Sequence, residues 1–376
     1  MAGIYIHIPF CKQKCNYCNF YSLASVKYRD VFVDALLKEM EIQKDYLSGE
    51  HIETVYFGGG TPSLLDAGEI DKIIERLSKY HRIISSPEVT IEANPDDISR
   101  QKIKELLHTP VNRFSIGIQS FFDDDLNYLN RVHSGSEAEK SVISVLDAGY
   151  KNVTIDLIYG IPTLTDDKWG KNIEKFLNFQ IPHLSSYALT VEPQTALDVL
   201  IRKGKMENVD EEKAVRHFKI LMDAMKNENY IHYEISNFAK EGFYSKHNTS
   251  YWQGKKYLGL GPSAHSFDGN SRRWNIANLN KYIEGMKKGG KIVEQEILTL
   301  EQKYNEYVMT SLRTVWGTDI KYIEDTFGKN ITSHYIKEIR KHINAKNVIC
   351  NNGIYRLTKK GKLFADAIAS DIFYIG

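Results

Sequence analysis

The sequence predicts an α/β fold: a partial, TIM-like barrel of six β/α units, with a small α+β winged-helix-like unit near the C-terminal end. Three observations predict it. Short β-branched or aromatic runs alternate with helical stretches over residues 1–240. Cysteine, glycine and polar residues cluster at the ends of one run after another. The alternation stops near residue 240, and a differently patterned segment begins near 298.

The runs lie at 4–8, 54–57, 89–93, 114–118, 153–158 and 184–189. Helical stretches at 28–46, 67–79, 99–107, 137–148, 166–179 and 210–227 separate or follow them, and a seventh run spans 231–236. Val31, Ala35, Leu36 and Met40 recur at near-helical spacing in the first helix, and Gly149 ends the fourth. Strands joined by crossover helices pair in parallel, with right-handed connections. Both a doubly wound sheet and a barrel satisfy that rule. Placement favours the barrel, where chemistry gathers at the C-terminal ends of several strands. Three cysteines follow the first run, and Gly58-Gly59-Gly60-Thr61-Pro62 follows the second. Glu92-Ala93-Asn94-Pro95 ends the third, Gln119-Ser120 the fourth, and Asp156 lies in the fifth.

Residues 247–267 are rich in aromatics, glycine and histidine and read as ordered loop. Helices are expected at 300–315, 335–344 and 362–370, with a β-wing at 353–358. The expected domains are the barrel (1–240), a loop and linker region (241–297) and the C-terminal unit (298–376). No fixed-period repeat and no low-complexity tract interrupts them.

Composition limits the function classes. The chain has 376 residues, 42% of them hydrophobic, enough for a large domain and a smaller one. Lys+Arg number 49 against 48 Asp+Glu, so charge balance calls for neither nucleic acid nor a membrane surface. No apolar run approaches the roughly 18 residues that span a bilayer, which leaves room only for transient membrane association. The opening MAGIYIHIPFCKQKC lacks the basic start of a signal peptide, so a cytoplasmic protein is expected. Lys359-Lys360-Gly361-Lys362 is basic, but Asp366 and Asp371 dilute it and no Arg-rich recognition helix stands out. DNA binding is therefore not expected; the C-terminal unit would cover the barrel or contact a client protein.

Cys11, Cys15 and Cys18 form a C-x3-C-x2-C string. Cysteines this close read as a metal or cluster site in a reducing compartment, not as a disulfide framework. Three thiolates can hold three irons of a cubane and leave the fourth open. The rival is a structural zinc with His7 as fourth ligand, but such sites usually come as two paired halves, and no second half follows. Cys350, after Val348 and Ile349, reads as a buried structural thiol.

With Tyr17 just before its last cysteine, the string resembles the signature of the radical S-adenosylmethionine superfamily. The resemblance implies a [4Fe–4S] cluster on Cys11, Cys15 and Cys18. It also implies S-adenosylmethionine chelated to the open iron, and a 5′-deoxyadenosyl radical after one-electron reduction. Tyr17 would lie beside the adenine, and the Gly58–Pro62 segment would receive the methionine amino group. That segment lacks the GK[ST] ending of a phosphate-binding loop.

Four further strings narrow the resemblance: Tyr5-Ile-His7-Ile-Pro-Phe-Cys11, Gly-Gly-Gly-Thr-Pro, Arg113-Phe-Ser-Ile-Gly-Ile-Gln119-Ser-Phe and Ile155-Asp156-Leu-Ile-Tyr-Gly160. Together they are similar to oxygen-independent coproporphyrinogen III oxidase and its relatives, over nearly the whole chain. The S-adenosylmethionine contacts this implies are Tyr5, Tyr17, Gly59, Gly60, Thr61, Glu92, Gln119, Arg131 and Asp156. Carboxylates suit ribose hydroxyls, an amide can bridge, and a guanidinium suits a carboxylate.

Three departures separate the chain from the oxidase itself. Phe20 stands where the oxidase has a further cysteine, and only ten residues precede Cys11, where the oxidase has an extension. His247-Asn248-Thr249-Ser250-Tyr251-Trp252 resembles the H-N-x-x-Y-W motif of the haem-chaperone branch. Imidazole is a good axial ligand for haem iron, and Tyr and Trp offer flat faces to a porphyrin. The resemblance implies haem carried as cargo by His247, Tyr251 and Trp252, with His265 of Gly259-Leu-Gly-Pro-Ser-Ala264-His265 as a second candidate ligand. The latter string superficially fits G-x-G-x-x-A, but no strand is expected before it and Pro262 spoils the helix start, so a dinucleotide site is not expected. The expected function is delivery of haem to an apo-haemoprotein client, with reduction by a flavodoxin-like or ferredoxin-like donor and no catalytic residue assigned. The alternative is oxidative decarboxylation of coproporphyrinogen III.

Overall fold

The computed structural model describes residues 1–289 and 292–375, so residues 290 and 291 of the 241–297 segment and residue 376 lie outside it. Strands β1 (Ala2–Ile8), β2 (His51–Gly59), β3 (Arg82–Ala93), β4 (Arg113–Gln119), β5 (Asn152–Tyr159) and β6 (His183–Ala188) lie side by side in sequence order, all parallel. Helices Arg29–Ile42, Ala67–Tyr80, Arg100–Leu106, Gly135–Asp147 and Asp166–Asn178 connect them, and Glu211–Asn227 follows β6. This is the six-unit partial barrel that the pattern predicts.

Side-chain alternation explains the two faces. Ile4, Ile6 and Ile8 of β1 join Phe114, Ile116 and Ile118 of β4 and Val153, Ile155 and Leu157 of β5 in one core against the helices. The alternate positions are polar: Thr54, Thr90, Glu92, Arg113, Ser115, Thr154, Asp156, His183 and Ser185. They face each other inside the barrel, where Thr154 Oγ1 lies 2.6 Å from His183 Nδ1 and Tyr56 donates to Glu92 at 2.8 Å. Local signals set helix ends. Ser134 and Glu137 form a reciprocal capping box, the Glu137 carboxylate accepting from the Ser134 N–H at 2.8 Å.

After β6 the structure departs from expectation. The run at 231–236 does not continue the parallel series. β7 (Ile231–Glu234) and β8 (Asn237–Ala239) form a hairpin, and β8 is antiparallel to β6. Residues 247–267 are not loop: Lys246–Trp252 is a helix, followed by β9 (Tyr257–Leu260) and β10 (His265–Phe267). β9 runs parallel to β1 and adds a seventh parallel strand on the far side of the first unit. Gly259 thus sits within a strand, against the expectation that none would precede it. β11 (Ser271–Asn275) and β12 (Val293–Ile297) extend this flank antiparallel, giving a sheet of twelve strands among the described residues.

The C-terminal unit has its own core, in which Tyr304, Val308 and Leu312 of helix Leu300–Leu312 meet Ile323, Phe327, Tyr335 and Ile339. The helix expected at 335–344 is the second half of Ile320–Asn344, broken at Gly328 (φ 82°, ψ 173°). β13 (Thr318–Asp319), β14 (Val348–Asn351) and β15 (Ile354–Leu357) form the wing. Cys350 is exposed, not buried: it sits near the hairpin tip, beyond the core that takes Val348. The two cores are tied where the Ile235 N–H donates to the Arg313 carbonyl at 3.1 Å and Arg313 pairs with Glu234 at 3.2 Å. Among the described residues no helix is long and apolar enough to cross a membrane.

A candidate cofactor site beside an aromatic cavity

The three cysteines sit on a loop that leaves β1 and closes on itself. The Cys11 N–H donates to the Leu23 carbonyl at 2.9 Å, and the Leu23 N–H to Pro9 at 2.7 Å. The segments that follow β3 and β4 pin the loop from outside. Lys12 pairs with Asp96 at 2.9 Å, Gln13 donates to Asn130 at 2.9 Å, and Asn130 donates back to the Lys14 carbonyl at 2.9 Å. All three thiols are half-buried and line one cavity of about 420 Å³. The three thiols border one shared volume, where they could hold a cluster. Burial raises the Cys18 thiol pKa, against the lowering effect of a hydrogen bond from the Phe20 backbone.

The polar residues expected at the strand ends come together around the same cavity: Tyr17, Gly59, Gly60, Thr61, Glu92, Gln119, Arg131 and Asp156 all line it. Two glycines are required by close approach. A Cβ on Gly60 would lie 2.6 Å from the Phe10 carbonyl oxygen, and one on Gly59 (φ +109°) would lie 2.6 Å from the His7 ring. Glu92 is fixed at both oxygens, accepting from Tyr56 at 2.8 Å and from the Gly59 N–H at 3.1 Å. Burial raises the Glu92 pKa. Burial, and then the Glu92 charge, push Asp156 up to about 7. Gln119 has φ +67° at the irregularity that ends β4. Arg131 donates to Asn94 Oδ1 at 2.7 Å, to the Gly117 carbonyl at 2.8 Å and to Cys15 Sγ at 3.3 Å. Burial opposes its charge, but Tyr17 and Cys15 outweigh it, so the guanidinium stays protonated.

Tyr5 is the exception. Its ring lines a second cavity, of about 920 Å³, and its hydroxyl meets His7 Nδ1 at 3.2 Å. Among the described residues, Asn19 and Phe20 alone line both cavities. Tyr251, Trp252, Tyr257 and Phe267 border it from the helix–strand flank, and Tyr307, Tyr322 and Phe327 from the C-terminal unit. Of the expected haem residues, Tyr251, Trp252 and His265 reach this cavity, and His247 does not. His247 is 1% exposed. Its Nδ1 lies 2.7 Å from Thr54 Oγ1, its Nε2 lies 2.8 Å from the Tyr251 hydroxyl, and its ring stacks on Tyr56 at 4.9 Å. Burial, and then the Arg113 charge, lower its pKa to about 3, so the ring is neutral. Glu88 accepts the His247 N–H at 3.1 Å and holds the helix start.

Sequence reasoning missed two contributors. Asn94 joins Arg131 to Thr61, donating to Thr61 Oγ1 at 3.1 Å; its signal was its place in the strand-ending Glu92–Pro95 string. Arg113 is 1% exposed, with its charge among Glu92, Asp156, His183 and His247. Nothing local marks it, since a basic residue at a strand start usually faces solvent.

Residues 5–176 match the Radical SAM superfamily, and residues 298–364 match the HemN C-terminal domain. The chain is 33% identical to the heme chaperone HemW of Bacillus subtilis over 374 residues, 98% of each protein. It is 32% identical to the heme chaperone HemW of Lactococcus lactis, covering 95% of this chain and 93% of that one. Its fold superposes on the coproporphyrinogen III oxidase HemN of Escherichia coli, a radical SAM enzyme, with a TM-score of 0.85 over 99% of this chain and 90% of that chain, at 20% identity. With this identity sustained over its whole length, the chain belongs to the HemW family of the radical SAM superfamily.

Proposed function

We propose that this protein binds haem and passes it to an apo-haemoprotein, carrying a [4Fe–4S] cluster on Cys11, Cys15 and Cys18 with S-adenosylmethionine beside it. The observation that carries this reading is the pair of cavities walled by Asn19 and Phe20. One gathers thiols and fixed polar groups; the other is broad and aromatic, as a planar macrocycle requires. Full-length similarity to proteins named heme chaperone supports it, as does Phe20 where the oxidase has a further cysteine.

The cluster would supply an open iron position and one-electron chemistry. The chain's residues do the rest. Arg131 braces Cys15 and offers its charge to a carboxylate; Glu92 and Asp156 accept ribose hydroxyls; Gly59 and Gly60 let the ligand approach backbone. Tyr251 and Trp252 offer ring faces to haem. In this reading residues 1–240 hold the cofactors, 241–297 wall the haem space, and 298–376 close it. A flavodoxin-like or ferredoxin-like donor would reduce the cluster, in the cytoplasm.

Two assays test the proposal on the full-length protein. Titration with haem should give a saturable Soret shift. Anaerobic incubation with coproporphyrinogen III, S-adenosylmethionine and a reductant should give no protoporphyrinogen. Protoporphyrinogen formation without haem binding would overturn it.

A further inference from the structure

An axial haem ligand needs an imidazole nitrogen with a free lone pair, facing a space that admits the macrocycle. Three histidines stand near the aromatic cavity, and the structure distinguishes them. His7 Nε2 lies 2.8 Å from the Tyr21 carbonyl oxygen, which can only accept, so that nitrogen carries the proton. Its Nδ1 therefore accepts from Tyr5, and no lone pair remains. His247 has both nitrogens engaged by hydroxyls and is walled off behind Tyr251.

His265 differs on each count. It is exposed on β10, lines the cavity, and has no hydrogen-bond partner among the described residues. Trp274, its cross-strand partner on β11, stacks on the ring at 6.0 Å between centroids with 27° between planes, which limits how the imidazole can turn. Partial burial, then the Arg272 charge, lower its pKa, which favours the neutral ring that binds a metal.

The same cavity holds cationic groups for carboxylates. Arg272 is already paired with Glu306 at 2.7 Å. Lys303 also lines the cavity, and its ammonium donates to the neutral Asn270 side chain at 2.8 Å, leaving its charge uncompensated by that contact.

We propose that His265 ligates the haem iron in this cavity, that Lys303 meets a haem propionate, and that His247 shapes the cavity wall through Tyr251 without touching iron. The inference rests on the haem-binding reading above and names its ligand. The cavity lies between β9–β11 and the C-terminal helices, with Phe20 on its border.

The test is haem titration of the full-length protein, read by the Soret band and by electron paramagnetic resonance of the ferric form. His265→Ala should lose the nitrogen-ligand spectrum and at least about tenfold in affinity, the loss of roughly one and a half kcal/mol, and added imidazole should restore the spectrum. His247→Ala, checked for folding by circular dichroism, should keep the wild-type spectrum. Lys303→Gln should weaken haem several-fold and leave the dimethyl ester of haem unaffected. If wild type binds haem and His265→Ala keeps the same spectrum and affinity, this inference falls while the haem-binding reading stands. It falls in the same way if a folded His247→Ala loses the nitrogen ligand. If wild type binds no haem, both fall together.

Discussion

The cysteine pocket and the aromatic cavity share a wall at Asn19 and Phe20, yet they are held in opposite ways. Hydrogen bonds fix the first: Glu92 at both oxygens, Arg131 at three contacts, and the Gly60 N–H on the Ile8 carbonyl at 2.8 Å. The second is built of packed rings, such as Tyr251 against Tyr257 at 4.6 Å and Tyr307 against Tyr322 at 4.4 Å. Directional contacts suit a cofactor that must sit in one pose. Ring packing suits cargo that must enter and leave, because it excludes water without demanding one hydrogen-bond pattern. The difference teaches that residence and handover can be divided between neighbouring cavities of one chain.

The sharpest break of that division is chemical. Cys15→Ala should abolish cluster assembly, read as loss of iron and sulfide from the anaerobically reconstituted protein, because two thiolates no longer hold a site-differentiated cubane. Haem affinity should change little. If haem binding disappears with the cluster, the two cavities are one functional unit and the comparison fails.

A second prediction concerns the frame behind the aromatic flank. Glu39 is fully buried and accepts from the Gly261 N–H at 2.7 Å and the Tyr282 hydroxyl at 2.7 Å, tying helix Arg29–Ile42 to the segment after β9. Burial dominates and pushes its pKa up to about 7, against the lowering effect of those donors. The sign follows from linkage. A carboxyl raised in the folded state favours folding most when protonated, so its contribution is full below its unfolded pKa and is lost as pH rises through about 7. The span corresponds to about 3 kcal/mol. Glu39→Gln removes this titration. The stability difference between wild type and variant should therefore shift against wild type by up to about 3 kcal/mol across that window in urea unfolding. A pH-independent difference would show that Glu39 stays ionised in the folded protein.

How much of this was legible in the sequence depended on the range of the interactions. The cysteines and the strand-end residues Glu92, Gln119 and Asp156 were readable because local strings and strand periodicity place them. The helix at Lys246–Trp252 was not: its start is held by Glu88, 159 positions away, and its composition alone resembles loop. β9 was missed for the same reason, since its partner is β1, some 250 residues earlier. Cys350 was misread because Val348 and Ile349 looked like a buried pair, but Ile349 is 47% exposed and the hairpin carries the thiol past the core. The His247 motif was visible, but its burial was not: a string shows residue types and gives no indication of which nitrogens are already bonded.

A smaller effect probes the rigid side. Gly60→Ala would place a methyl 2.6 Å from the Phe10 carbonyl and 2.9 Å from that of Ile8, both backbone atoms that cannot rotate away. Overpacking of this kind costs about 2 kcal/mol. The variant should unfold at lower denaturant and hold S-adenosylmethionine more weakly, with haem affinity unchanged. Equal losses at both cavities would mean that strain crosses the Asn19–Phe20 wall.

The smallest effect bears directly on His247. Thr54 is 1% exposed, lines neither cavity, and sits 2.7 Å from His247 Nδ1. Thr54→Val removes the hydroxyl with little change in shape and leaves a buried ring nitrogen without its partner, which costs about 1 to 2 kcal/mol. If the ring serves the wall, the cost appears in denaturant unfolding alone and the haem spectrum does not move. If His247 is instead the iron ligand, losing the partner on Nδ1 changes how strongly Nε2 donates, because the second ring nitrogen sets the basicity of the first. The ferric spectrum would then shift with the Thr54 substitution. One substitution, read by unfolding and by spectroscopy, thus separates a histidine that supports the cavity from one that holds its cargo.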